Sequence, residues 1–210
     1  MSEAGRARRR AAVVEFKASA ILDAARDVFE ADGLEGASMR AIAKAAGYTP
    51  GAIYAYFPSK EALYAALLDE TLDRLTTAID TASTAAETAA QRFQAAVLAF
   101  YEFYDENPRD LDLGFYLFRG GIKPRGLSAE LDTTLNAKLI AALQPITDSA
   151  AELGAAPDAA RKVTAEAFAH ATGLLLLSHT RRLDLFGLSA RDLLVDHLHA
   201  ALHRLGSAHD

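Results

Sequence analysis

Apolar residues recur every three or four positions along most of this chain, and no stretch alternates with the period of two that a half-buried strand shows. The pattern predicts a succession of helices. The first is expected from about Phe16 to Asp32, with Ile21, Ala25, Val28 and Phe29 on one face and Gly33 ending it. Ser38 is suited to cap a short second helix, Met39 to Ala46, which stops at Gly47. Thr49 caps a third helix, with Pro50 at the first position where a missing N–H costs nothing; this helix is expected to end near Phe57-Pro58. Ser59 opens a longer fourth helix carrying Leu68, Leu72, Leu75 and Ile79 at helical spacing, and residues 81–88 read as its end or as a joint after it. Further helices are expected over about Ala89–Glu106, Asp110–Arg119, Ser128–Leu153 (bent at Pro145), Ala159–Leu183 and Ala190–Leu205. Asn107-Pro108, the Gly120-to-Gly126 stretch and Gly154–Pro157 separate them. The expected fold class is all-α.

Composition narrows the function more than the fold. The chain has 210 residues, 51% hydrophobic and 24% charged, close to an average globular protein. It has no cysteine, which removes disulfides, thiolate nucleophiles and cysteine zinc sites and suits a reducing compartment. The start, Met1 to Phe16, is charged rather than apolar, and no run is long and apolar enough for a bilayer, so a soluble cytoplasmic protein without membrane contact is expected. The net charge of −6 is unevenly spread. Residues 1–60 hold nine Lys/Arg against seven Asp/Glu, and residues 61–210 hold thirteen against twenty-one. Screening confines charge effects to roughly 10 Å at 0.1 M salt, so a basic end on an acidic body still attracts phosphate locally.

The informative segment is Ser38 to Tyr64, SMRAIAKAAGYTPGAIYAYFPSKEALY. Two short helices about a Gly47 turn make a helix-turn-helix, the arrangement that lays its second helix in the major groove. Ile42, Ala45 and Ala46 offer an apolar inner face, and Ile53, Phe57 and Leu63 read as core. Outward on the third helix stand Thr49, Pro50, Gly51, Ala52, Tyr54 and Tyr56. Small residues at its start let the backbone approach bases, and tyrosine hydroxyls reach phosphate oxygens. Lys60, Arg40, Lys44 and the Ser38 cap are further phosphate candidates. The arm Arg6 to Arg10 reads as a flexible basic tail, a solvated end with general electrostatic attraction; the alternative is that it tracks phosphates or enters the minor groove.

From Ile21 to about Leu68 the chain resembles the DNA-binding domain of the TetR family, and GAIYAYFPSKEAL is the most specific piece. The resemblance covers roughly the first third of the chain. It implies that Tyr54, Tyr56 and Lys60 contact phosphates, that Thr49 to Ala52 face the groove, and that Ser38 makes a contact from its helix cap. Many family members carry histidine where this chain has Tyr56, which keeps a donor but moves it outward. The implied architecture is a helix-turn-helix domain over residues 14–60 and a helical ligand-binding and dimerisation domain over 61–210. The implied function is a transcription regulator, as a rule a repressor, that binds pseudo-palindromic operator DNA as a homodimer and is released by a small-molecule effector.

In the second domain, Ala167, Ala171, Leu174, Leu175 and Ser178 on one helix, and Leu193, Leu194, Leu198, Ala201 and Leu205 on the next, are the expected dimer faces, because Leu174 to Leu177 is apolar all round a helix; the alternative is that both helices simply cover their own core. The middle helices are rich in aromatic residues, which describes both an ordinary core and the wall of a pocket for a partly apolar effector. Tyr104, Tyr116, Arg119 and His170 are the candidate polar groups of that pocket. Lys123 and Arg125 with Arg119 read as loop surface charges. Asp196, His199 and His203 have metal-ligand spacing on one helix, but near a chain end they read as a polar stripe, so neither a metal nor a cofactor is expected. An enzyme is disfavoured: there is no Gly-rich phosphate loop and no HExxH, and Ser178, His179 and Asp184 make a triad only if geometry is ignored.

Overall fold

The computed structural model describes residues 3–119 and 127–207. Among them ten α-helices follow one another: α1 (Glu3–Gly36), α2 (Met39–Ala45), α3 (Pro50–Tyr54), α4 (Lys60–Thr84), α5 (Ala89–Glu106), α6 (Pro108–Arg119), α7 (Ala129–Ala142), α8 (Gln144–Glu152), α9 (Pro157–His179) and α10 (Ala190–Ser207). A single 3-10 turn, Leu183–Phe186, lies between α9 and α10, and no strand occurs among the described residues. The all-α class expected from the periodicity is the class observed. The chain divides into two compact units, residues 1–70 with 112–135, and residues 71–111 with 136–210.

In the first unit α1 packs on α2 and α2 on α3. Ile21, Leu22, Ala25 and Phe29 of α1, Ile42 and Ala43 of α2, Ile53 of α3, and Leu63, Tyr64 and Leu67 of α4 form its buried core. Each large apolar side chain buried here contributes about 1.5–3 kcal/mol. The Phe29 and Tyr64 rings meet edge to face at 5.6 Å, and the Tyr64 hydroxyl donates to the Leu113 carbonyl. Two expectations shift. α1 begins at Glu3, so the arm expected to be flexible is helical through Arg6–Arg10; its alanines and arginines are strong helix formers with no proline to stop them. α1 also continues one turn past a kink at Gly33, whose φ of 67° breaks the helical path there. Leu34 and Glu35 are described only by their backbone.

In the second unit α5, α8, α9 and α10 pack together. Phe93, Val97 and Phe100 of α5, Ile146 of α8, Val163, Ala167, Ala171 and Leu175 of α9, and Leu194 and Leu198 of α10 are buried. Thr88 caps α5 by a capping box with Gln91, a signal the periodicity did not reveal. The single bent helix expected over Ser128–Leu153 is two helices, because Pro145 has no N–H to continue the ladder and the Ile146 N–H bonds the Leu143 carbonyl, three residues back, at 3.1 Å. α9 starts at Pro157 and stops at His179, earlier than expected at its end. There Arg181 takes φ 56°, Arg182 N–H bonds the Leu177 carbonyl at 2.8 Å, and the Thr180 hydroxyl turns back to the Leu176 carbonyl at 2.6 Å. Gly120-Gly121, Lys123 and Arg125 lie outside the described residues.

Candidate nucleic-acid interface

Local chemistry builds the helix-turn-helix. The Ser38 hydroxyl accepts the Ala41 N–H at 3.2 Å and starts α2. Gly47, with φ 73°, ends it: Tyr48 N–H bonds the Ala43 carbonyl at 2.9 Å and Gly47 N–H the Lys44 carbonyl at 3.3 Å, a Schellman stop that only a left-handed residue closes without strain. Thr49 then caps α3 by accepting the Ala52 N–H at 3.3 Å, with Pro50 at its first position. Ser59 caps α4 the same way, accepting the Ala62 N–H at 3.1 Å. α3 stops at Tyr54, earlier than expected, with the chain turning through Ala55 before Phe57.

One side of α3 is anchored and the other is bare. Ile53 is wholly buried, whereas Tyr54 is 53% exposed and Thr49, Pro50 and Gly51 are exposed. A Cβ built on Gly51 meets no atom within 4 Å, so the protein leaves open the space in front of this backbone. Ala52, Tyr56 and Phe57 are half-buried, which makes Phe57 a partial rather than a full core residue. Arg40 and Lys44 are exposed on α2. Lys60 is half-buried, and its ammonium donates to the Ala37 carbonyl at 3.4 Å; it ties the end of α1 to the start of α4.

Of the ligand candidates, Tyr104 and His170 fall in the second unit, in separate groupings, and Tyr116 and Arg119 fall in the first. Tyr104 is buried, with Phe100 and Phe103 edge-on at 5.1 and 5.0 Å. Burial first, then the nearby Asp110 carboxylate, pushes its hydroxyl up to about 12. His170 instead stacks on His197 at 4.0 Å, between α9 and α10, and the Nε2 atoms of both are buried without a hydrogen-bond partner among the described residues. The side chains of Tyr116 and Arg119 lie outside the described residues.

Sequence reasoning missed a polar cluster in the second unit. Asp110 is buried and accepts from the Thr71 hydroxyl at 2.9 Å and from the Arg74 guanidinium at 2.7 Å, while Arg74 also lies over the Phe103 ring. Thr71 and Arg74, three apart on α4, were the available signal, but nothing local paired them with Asp110.

The expected dimer faces are turned inward. Ala167, Ala171, Leu174 and Leu175, and Leu194, Leu198 and Ala201, are buried within the chain itself, with Ser178, Leu193 and Leu205 half-buried. The leucine run is apolar all round, and its own chain covers only one half: Leu176 and Leu177 are exposed, as are Leu185, Phe186 and Leu188 after α9. Asp184 binds Arg181 at 2.9 Å, and the His179 Nε2 lies 3.7 Å from Asp105 instead, so Ser178, His179 and Asp184 do not align as a triad. Asp196, His199 and His203 are exposed, and no group of three metal-ligating side chains occurs among the described residues. No helix is long and apolar enough to cross a membrane among the described residues.

A capped helix-turn-helix with a bare second helix thus stands on a chain that is otherwise helical among the described residues, the arrangement in which helix-turn-helix proteins lay their second helix in the major groove. Residues 21–67 match the pattern of the bacterial regulatory proteins of the tetR family. The regulator RutR of Escherichia coli K12 is 45% identical over 65 residues, a match covering 31% of this chain and 31% of RutR. Among solved structures, a protein of unknown function from Rhodococcus sp. RHA1 is similar over 90% of this chain and 95% of its own, at 25% identity and a TM-score of 0.71. A tetR-family regulatory protein from Rhodococcus RHA1 shares the fold over 90% of this chain and 97% of its own, at 23% identity and a TM-score of 0.64.

Proposed function

We propose that this protein is a transcription regulator that binds operator DNA as a homodimer and is controlled by a small, partly apolar effector. The observation that carries this reading is α3: Ile53 anchors it, while Thr49, Gly51 and Tyr54 face outward with nothing of the protein in front of Gly51. In the complex, Thr49 to Ala52 meet base edges, Tyr54 and Tyr56 donate to phosphates, and Arg40 and the Ser38 cap hold the flanking backbone. Lys60 serves by fixing α4 against α1, and reaches phosphate only by giving up the Ala37 carbonyl.

One such helix reads few base pairs, so two copies on a pseudo-palindrome, with reading heads roughly 34–36 Å apart, supply the specificity. The exposed Leu176, Leu177, Leu185, Phe186 and Leu188 support a second copy as the cover of this surface. Repression by occupying a promoter in the cytoplasm follows from such binding. The effector would act from the second unit, where Tyr104 and His170 remain the candidate contacts; Tyr116 and Arg119 stay candidates by position alone. It shifts DNA affinity only as far as it binds one arrangement of the dimer better than the other. α4 contributes residues to both units and is the continuous element through which such a shift would pass.

The test is binding to the DNA upstream of its own gene over a salt series, beside Tyr54→Ala. Selective binding that weakens steeply with salt and collapses in the variant supports the reading. Equal binding to any DNA, with an indifferent variant, overturns it.

A further inference from the structure

The positive charge of the N-terminal domain sits outside the helix-turn-helix. Residues 18–60 carry four Lys/Arg against five Asp/Glu, so that segment is slightly acidic by itself. Two of those four cations are engaged: Arg26 lies 3.5 Å from Glu70, and Lys60 donates to Ala37. Residues 3–17, by contrast, carry five Lys/Arg against two Asp/Glu. These residues are helical, and every residue from Gly5 to Phe16 is exposed.

The helix arranges that charge. At 3.6 residues per turn, Arg6, Arg9, Arg10, Val13, Phe16 and Lys17 fall on one face, whereas Arg8 and Glu15 fall on the other side. Among the described residues no carboxylate pairs with Arg6, Arg9 or Arg10. Phe16 is 74% exposed and Val13 49%, so this face has no cover from the chain.

We propose that this stripe is a second DNA-contacting surface, one that grips the phosphate backbone beside the site read by α3. It rests on the DNA-binding reading above. The charge complementarity is direct: a slightly acidic reading head supplies little phosphate attraction, and the stripe is the same domain's concentration of unpaired guanidinium groups. It is also continuous with that head, because α1 itself packs on α2. A lipid surface fits less well. Membrane-lying helices separate an apolar face from a basic one, whereas Val13 and Phe16 share their face with the arginines. From Phe16 to Arg6 the helix spans roughly 15 Å, which reaches about four base pairs of backbone.

The experiment measures binding of the full-length protein to its upstream duplex at several salt concentrations for wild type, Arg6→Gln/Arg9→Gln/Arg10→Gln, Arg8→Gln and Tyr54→Ala. Circular dichroism first establishes that helix content is retained, which glutamine favours. Three lost phosphate contacts at about 0.9 each lower the salt slope by about 2.7 per protomer and weaken binding at least tenfold, with sequence preference retained. Trimming about four base pairs from each flank is expected to weaken wild type and leave the triple variant unchanged. An unchanged salt slope in the triple variant, with Tyr54→Ala still deficient, overturns the stripe and leaves the regulator reading standing. A slope loss in Arg8→Gln as large as in the triple variant overturns it too, since general charge then suffices. Loss of binding to vesicles of anionic phospholipid, with the DNA slope intact, overturns it in favour of a lipid surface. No DNA binding by wild type and no response to Tyr54→Ala would remove both proposals together.

Discussion

Gly47 and Gly51 are four residues apart, and a side chain added at either meets nothing within 4 Å, yet the two positions are expected to respond oppositely to substitution. Gly51 lies in the first turn of α3 with no left-handed backbone, so the Cβ added in Gly51→Leu enters open space and requires no strained backbone in the free protein. Leucine exceeds glycine in helix propensity by about 0.8 kcal/mol, although a five-residue helix realises only part of it. The melting temperature is therefore expected to stay level or to rise by up to about 3 °C. DNA binding should fall nonetheless, because the isobutyl group occupies the space through which the α3 backbone approaches the groove. A loss of at least tenfold, about 1.4 kcal/mol, is expected on the upstream DNA. Gly47→Ala supplies the contrast: its φ of 73° costs an L-residue about 1–2 kcal/mol, so stability and DNA binding fall together. Thermal unfolding and fluorescence anisotropy on the same preparations check both. Wild-type DNA affinity in Gly51→Leu, or a melting temperature that falls as far as in Gly47→Ala, refutes the reasoning.

Three further outcomes are expected. Tyr104 stays neutral in the folded protein up to about pH 12 but ionises near 10 when unfolded, so its share of stability is complete below pH 10 and lost between 10 and 12, about 2–3 kcal/mol in all. Denaturant melts over that range should show a smaller alkaline loss in Tyr104→Phe; an identical loss counts against the buried hydroxyl. His197 is held below its ordinary value by burial first and then by His170 and Arg204, so its contribution is present above about pH 6.5 and declines as pH falls through the lowered folded value. His197→Gln should melt with weaker acid sensitivity than wild type, and equal sensitivity would place the acid response elsewhere. Arg181 holds the left-handed position after α9, so Arg181→Gly should raise stability by up to about 1 kcal/mol in chemical denaturation, and a clear loss would show that its exposed contact with Asp184 outweighs the backbone strain.

Most elements and the bare face of α3 were legible in the sequence because their determinants are local. Ser38, Thr49 and Pro50 act within one turn of themselves, and Gly47 closes a stop that a left-handed residue favours, so spacing alone placed α2 and the start of α3. The outward set on α3 follows equally from one period: once Ile53 is core, Tyr54 and Gly51 point elsewhere. The helical start of α1 has a local cause too, since Arg6 to Phe16 is rich in alanine and arginine, but a charged terminus of that composition equally suits a solvated end.

Other features depended on what distant segments bring. Leu174 to Leu177 presents leucine on every side, and only packing against α5 and α10 decided that Leu174 and Leu175 are covered while Leu176 and Leu177 are left outside. Asp110 meets Thr71 and Arg74 across 39 and 36 residues, and His170 meets His197 from a different helix. Periodicity records that a helix has an apolar side; which of several apolar sides its own chain covers depends on the shapes of its neighbours. Hence the sequence by itself determined most of the helices, their local caps and the bare face of α3, whereas the tertiary structure decided the buried polar pairs and which leucines around the end of α9 stay exposed.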